Sequence, residues 1–334
     1  MKELIQDFHA QVPWLNIQTL ALFGSFLCTL LLGFIIIPIL RKRKVGQVVR
    51  DDGPQSHLKK AGTPTMGGII ILITVLVLSL VASLKYPNIL PAALVTLGYG
   101  LIGFIDDFKK LVLKNPKGLS PKLKMIGLIL VSGCFIGYLI YIGYGTGINI
   151  PFVKLSTEPV ELQIWFYVLF MLFVMVGTTN SLNLTDGLDG LAAGITAIIM
   201  IFFVFVSMAW GNKEYSVFSS VVAGSTIGFL FFNTYPAKVF MGDTGSLALG
   251  GAICSIAILL RVPLILVVVA GICVIEAISV ILQVSYFKIT KGKRLFKMAP
   301  IHHHLELSGM KETVIVPLFW IITAILCFVG FKII

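Results

Sequence analysis

Two adjacent carboxylates, Asp106 and Asp107, close an apolar run that begins near Leu90, and Lys109 and Lys110 follow almost at once. Ionised carboxylates are costly to desolvate, so a pair of them at the end of a greasy segment needs a reason. Two readings fit. The pair marks the water boundary, with Asp106 and Lys110 forming an i,i+4 pair on the next turn. Alternatively it belongs to a phosphate-handling site, holding Mg²⁺ or acting as base or nucleophile.

Other polar segments bear on the choice. Asp186 and Asp189 stand three apart at the expected start of a span, which places them on one helical face. Capping by Thr185 or Asp186 accounts for part of that segment but does not require Asn180, Asn183 and Asp189 as well. Residues 242–246, Gly-Asp-Thr-Gly-Ser, combine glycines that admit close backbone approach, the free N–H groups of a helix start, and Asp243 as a cation ligand. An ordinary N-cap is the plainer reading of the same pattern. Three consecutive histidines, His302, His303 and His304, suggest zinc at first sight. Neighbours in an extended chain point to opposite sides, however, and no cysteine partner is available. One or two of them are expected to bind or protonate phosphate oxygens, the third being structural. The preceding Lys291, Lys293, Arg294 and Lys297 suit anionic lipid or a polyanionic substrate, and equally an ordinary basic loop.

The elements that must position these groups are membrane spans. Of 334 residues, 57% are hydrophobic and only 12% charged, with a mean hydropathy of +0.98. A water-soluble domain carries about twice that charge. About ten apolar runs are long enough to cross a bilayer as helices, near 20–40, 67–84, 90–106, 124–143, 162–180, 187–210, 216–233, 245–260, 263–286 and 313–333. They lack the short polar–apolar alternation of a β-barrel. The expected fold class is therefore all-α, a polytopic integral membrane protein forming a single domain over 1–334. The first run reads as a retained span, because no basic region precedes it. The five cysteines fall inside apolar runs without a C-x-x-C and read as packing residues.

Orientation follows from charge. If Arg41, Lys42, Arg43 and Lys44 face the cytoplasm, so do 41–66, 106–124, 180–187, 234–244 and 286–312, and 20 of the 26 basic residues fall on that side. This matches the positive-inside rule with both termini outside. The net charge of +11 is thus a topology signal and not a mark of nucleic-acid binding. All the unusual polar segments then lie on the cytoplasmic face, where acids, lysines, glycine-lined helix starts and histidines suit a phosphate or diphosphate substrate meeting a lipid-borne acceptor. A transporter for an anionic solute is the competing class. Glu276, inside the ninth span, is the residue that fits it, and a buried acid satisfied by neighbouring helices is the plainer account.

The motifs resemble the phospho-N-acetylmuramoyl-pentapeptide transferases. The specific parts are residues 52–57, residues 62–68 (Gly-Thr-Pro-Thr-Met-Gly-Gly) and residues 298–304 ending in the histidine triplet. The Asp-Asp pair, Asn-x-x-Asp-Gly-x-Asp-Gly and Gly-Asp-x-Gly-Ser are shared with the wider polyprenyl-phosphate N-acetylhexosamine-1-phosphate transferases. The resemblance implies a Mg²⁺-dependent enzyme of peptidoglycan synthesis in the bacterial cytoplasmic membrane. It would pass the phospho-sugar of UDP-MurNAc-pentapeptide to undecaprenyl phosphate, giving lipid I and UMP; a relative using UDP-GlcNAc is the alternative. Carried onto this chain, Asp243 is the expected Mg²⁺ ligand, and Asp106 and Asp107 the catalytic pair with His302 beside them. Lys60, Asn183, Asp186, Gly187, Leu188, Asp189 and Phe240 resemble the uridine-side pocket, with Phe240 stacking on uracil and Thr65 and Gln283 along the same groove. Lys124, rather than Lys122, is the expected phosphate contact, and His303 and His304 complete the substrate side. The family also implies a homodimer. Attack by an aspartate on the β-phosphate and direct attack by a deprotonated lipid phosphate both remain open.

Overall fold

The computed structural model describes residues 16–43, 62–113, 115, 118–152 and 159–334. The apolar runs fold as helices because each lies where no water can satisfy an open backbone. In chain order these are α1 (Ile17–Lys42), α2 (Gly68–Ser83), α3 (Leu90–Leu111), α4 (Pro121–Tyr141), α5 (Ile164–Thr185), α6 (Leu191–Ala209), α7 (Lys213–Asn233), α8 (Gly242–Leu259) and α9 (Gly271–Ile289). A short α10 (Ile301–Leu307) and a final α11 (Glu312–Ile333) follow. Among the described residues, nine of these segments are long and apolar enough to cross a membrane, α3 being extended by the 3-10 turn Pro87–Ile89. Sixteen-residue α2 is the tenth, shorter apolar helix. A two-stranded antiparallel ribbon, β1 (Gly147–Ile148) with β2 (Val160–Glu161), connects α4 to α5.

α8 is the centre of the bundle: 89% of its apolar stretch is buried, against 22% in α1 and α9. α3, α5 and α2 pack around it. Lipid tails are as apolar as leucine, so small residues that permit close backbone contact must hold such helices together. Gly224 and Gly228 of α7 do this against α1. A Cβ on Gly224 would stand 2.0 Å from the Leu22 carbonyl oxygen, and one on Gly228 would stand 2.7 Å from that of Phe26.

Three local expectations are corrected. Asp106 and Asp107 do not end their helix, which continues to Leu111. Hydropathy marks where lipid stops, whereas helical hydrogen bonding runs on past that boundary. The ninth apolar run is not continuous either. Pro263 opens a 3-10 turn, a one-turn helix Leu266–Val269 follows, and α9 restarts at Gly271. Finally, α5 extends to Thr185, so Asn180 and Asn183 are helical and α6 begins only at Leu191. Asp186 and Asp189 therefore occupy the turn between helices and do not share a helical face, and Gly190, with φ +78°, takes the N-cap of α6 without any side-chain bond.

Candidate functional site

The polar segments converge at one end of the bundle. α3 brings its carboxylates there because Gly103 lets its backbone touch the start of α8; a Cβ at 103 would lie 2.1 Å from the carbonyl oxygen of Asp243. Asp107 then caps α8 from the neighbouring helix. Its Oδ2 accepts from the Thr244 N–H at 2.9 Å and the Thr244 hydroxyl at 2.6 Å, and its Oδ1 accepts from the Asp243 N–H at 3.3 Å. A buried carboxylate at a helix N-terminus satisfies N–H groups that the helix leaves unpaired and complements its dipole. The segment 242–246 is thus a helix start, but its cap comes from 136 residues earlier in the chain.

Asp243, on the first turn of α8, faces a ring of polar groups. Asn183 Nδ2 donates to its Oδ1 at 2.9 Å and to Ser246 Oγ at 2.8 Å. Its Oδ2 receives Lys124 Nζ at 3.1 Å and Lys110 Nζ at 3.2 Å. Lys124 also reaches Asn183 Oδ1 at 3.3 Å, whereas Lys122 is exposed. Lys110 simultaneously pairs with Asp106 Oδ2 at 2.5 Å, and the Leu119 N–H holds Asp106 Oδ1 at 2.6 Å. The i,i+4 bridge of the plainer reading exists, and it lies inside a cluster of three carboxylates. Ligand atoms of Asp106, Asp107 and Asp243 lie within 4.8 Å of one another. Hard oxygen donors of this kind suit Mg²⁺, which takes one or two carboxylates and fills its shell with water and phosphate oxygens.

Asp186 caps the end of α5 beside Gly242. Burial pushes its carboxyl well above the usual carboxylate range, and the carboxylates of Asp243, Asp107 and Asp189 push the same way. Asp189 ties the turn down, accepting from the Ala237 N–H at 3.0 Å while its own N–H donates to Glu312 Oε1 at 2.5 Å. Leu188 is buried. Phe240 pairs through its backbone with 64–67, donating to Pro64 O and accepting from Gly67 N, each at 2.8 Å. This pairing sets buried Thr65 beside Gly242, where a Cβ would stand 3.1 Å from Thr65 Oγ1. Lys60 lies outside the described residues.

The histidines are helical, in α10, and not extended; the His302 and His303 rings lie against each other with centroids 4.1 Å apart. His302 is fully buried, with Nδ1 3.1 Å from Glu276 Oε1 of α9, and its Nε2 presses on Gly187, where a Cβ would lie 2.2 Å away. His303 Nδ1 meets Glu306 Oε2 at 2.9 Å, and His304 Nδ1 accepts from the Lys297 N–H at 3.1 Å. Gln283 anchors the same basic loop through the Leu295 and Phe296 N–H groups, at 3.0 and 2.9 Å.

Glu276, the residue that favoured a transporter, is thus paired with His302. Glu276→Ala is expected to remove the carboxylate that faces the buried His302 ring and to cost about 1–3 kcal/mol. Earlier heat-induced loss of folded protein in detergent, largely restored by Glu276→Gln, is the measurement that checks this.

Sequence reasoning did not single out Glu312 or the capping role of Asp107, and it named Lys110 only as the i,i+4 partner of Asp106. Nothing local points to Glu312, which meets Asp189 across 123 residues.

The Glycosyl transferase family 4 model matches residues 89–261, from α3 to the end of α8. The phospho-N-acetylmuramoyl-pentapeptide-transferase signature 1 matches residues 60–72. A phospho-N-acetylmuramoyl-pentapeptide-transferase from Acetivibrio thermocellus is 54% identical over 308 residues, 92% of each chain. Proteins of the same name from Caldicellulosiruptor bescii and Bacillus subtilis are each 48% identical, over 314 and 312 residues. These alignments cover 94% and 92% of this chain and 96% and 94% of theirs.

Proposed function

The chain belongs to the phospho-N-acetylmuramoyl-pentapeptide-transferase family, and on that footing we propose that it moves a phospho-MurNAc-pentapeptide group from a UDP-linked donor to undecaprenyl phosphate. UMP is released and lipid I stays in the bilayer. The reaction takes place at the cytoplasmic face of the bacterial cytoplasmic membrane, an orientation supported by the positive-inside bias. The observation that carries this reading is the gathering of Asp106, Asp107 and Asp243 with two lysines where apolar helices end.

Asp243 and Asp106 would hold Mg²⁺, which when bound neutralises charge on the diphosphate. The remaining work falls to the chain itself. Lys124 and Asn183 fix the Asp243 carboxylate in one orientation. The turn 186–190, with Phe240 and Thr65, forms the nucleotide side and is braced from behind by His302. In the direct route the lipid phosphate oxygen attacks the β-phosphorus, the UMP oxygen leaves, and a carboxylate takes the lipid phosphate's proton. Both oxygens of Asp107 are committed to the start of α8, and Asp106 gives Oδ1 to the Leu119 N–H and Oδ2 to Lys110, so either carboxylate must release a partner to accept that proton. Labelled phospho-sugar transfer to polyprenyl phosphate, with and without Mg²⁺, tests the function. Product and UMP are expected only with the metal, and an inert protein under both conditions would overturn the reading. A covalent phospho-sugar enzyme trapped without lipid acceptor would overturn the direct route.

A further inference from the structure

Each carboxylate in the cluster has oxygens already committed to its neighbours. Asp107 spends both on the N-terminus of α8, Asp106 gives Oδ1 to the Leu119 N–H, and Asp243 gives Oδ1 to Asn183. That leaves Asp106 Oδ2, held by Lys110 Nζ at 2.5 Å, and Asp243 Oδ2, shared by Lys110 Nζ at 3.2 Å and Lys124 Nζ at 3.1 Å, with Lys110 alone bridging the two atoms. A divalent ion coordinated by Asp106 and Asp243 needs the same two oxygens. Like charges a few ångströms apart repel strongly in a partly buried site, so ammonium and dication compete for one seat.

The two lysines differ in how easily they yield. Lys124 is 18% exposed and is also held by Asn183. Lys110 is 39% exposed and stands on the last turn of α3, with a long flexible stem. Gly118, at φ +58°, passes directly over that stem; a Cβ there would stand 2.8 Å from Lys110 Cε. Gly118 therefore packs on the stem of Lys110, whose side chain is still 39% exposed.

We propose that Lys110 is the exchangeable counter-cation of this site. The divalent ion takes its place on Asp106 Oδ2 and Asp243 Oδ2, and the ammonium swings outward as the ion enters. The proposal rests on the metal reading above and adds that Lys110 sets the affinity for the metal. Lys124 keeps its bond to Asn183 Oδ1 throughout.

The test uses the full chain in detergent, with Mn²⁺ as probe followed by its EPR signal. Lys110→Met is expected to bind Mn²⁺ about tenfold or more tightly than the unaltered chain, because a competing charge is gone. Lys109→Met removes the same charge one position away and is expected to change affinity by less than about threefold. The unaltered chain supplies a second readout: acylation of the Lys110 amine, mapped by mass spectrometry, rises severalfold as Mn²⁺ saturates, while that of Lys124 does not. Equal affinity in Lys110→Met, or Lys110 acylation that stays flat or falls while Mn²⁺ binds, overturns the exchange and leaves the metal reading standing. Absence of Mn²⁺ binding to the unaltered chain overturns the metal reading and the exchange with it.

Discussion

Asp243→Ala is expected to lower turnover by at least about 10²–10³-fold and to remove its dependence on Mg²⁺, with the protein still folded. The size of the loss follows from position. Asp243 shares the cluster with Asp106 and Asp107 and is the common partner of Lys110, Lys124 and Asn183, so its removal takes away a metal ligand and the group that holds both lysines together. Survival of the fold follows from the capping arrangement. The first turn of α8 is satisfied by Asp107 and not by the Asp243 side chain, which stays 19% exposed. UMP release across a Mg²⁺ titration, alongside a melting curve in detergent, checks both halves. Near-normal release would remove the metal assignment. Loss of activity with loss of fold would show that Asp243 is structural.

Gly103→Ala is the second large effect, and it acts without touching a polar group. The added carbon would stand 2.1 Å from the Asp243 carbonyl oxygen and 2.4 Å from its carbonyl carbon, both backbone atoms that cannot rotate away. Relief requires α3 to move off α8, which stretches the bonds from Asp107 to Thr244 and opens the distance between Asp106 and Asp243. A misplacement of about 1 Å in such a site costs on the order of 10²-fold in rate. Gly137→Ala is the matched control, since its new Cβ meets nothing within 4 Å. Radiolabelled transfer by equal amounts of the two membrane-inserted proteins decides the matter. Equal rates would show that close approach of α3 to α8 is not what assembles the cluster.

The helices were legible because hydropathy reports the one property the bilayer selects for, the length of an apolar run. Breaks within a run were less so. The segment around Pro263 reads as one span by composition, yet it folds as a turn, a single helical turn and a restarted helix. Helix ends were misplaced for a related reason: Asn180 and Asn183 look like loop residues by polarity but continue α5, because a polar side chain at the water boundary interrupts nothing in the backbone. Within the site, residue types and segments were readable and their partners were not. Lys124 could be chosen over Lys122 only through the resemblance; its contact with Asp243 spans 119 residues. The cap that Asp107 places on α8 depends on how two helices dock, and no local pattern encodes it.

That dock has a consequence for how the protein is made. Asp106 and Asp107 leave the ribosome well over a hundred residues ahead of the helix start that accepts them, and a nascent chain with α3 already in the bilayer must carry two bare carboxylates at the headgroup level. Lys110, one turn further along, offers Asp106 an immediate counter-charge within its own helix. The same lysine would thus shepherd the acids through insertion until α8 arrives, long before any substrate is met.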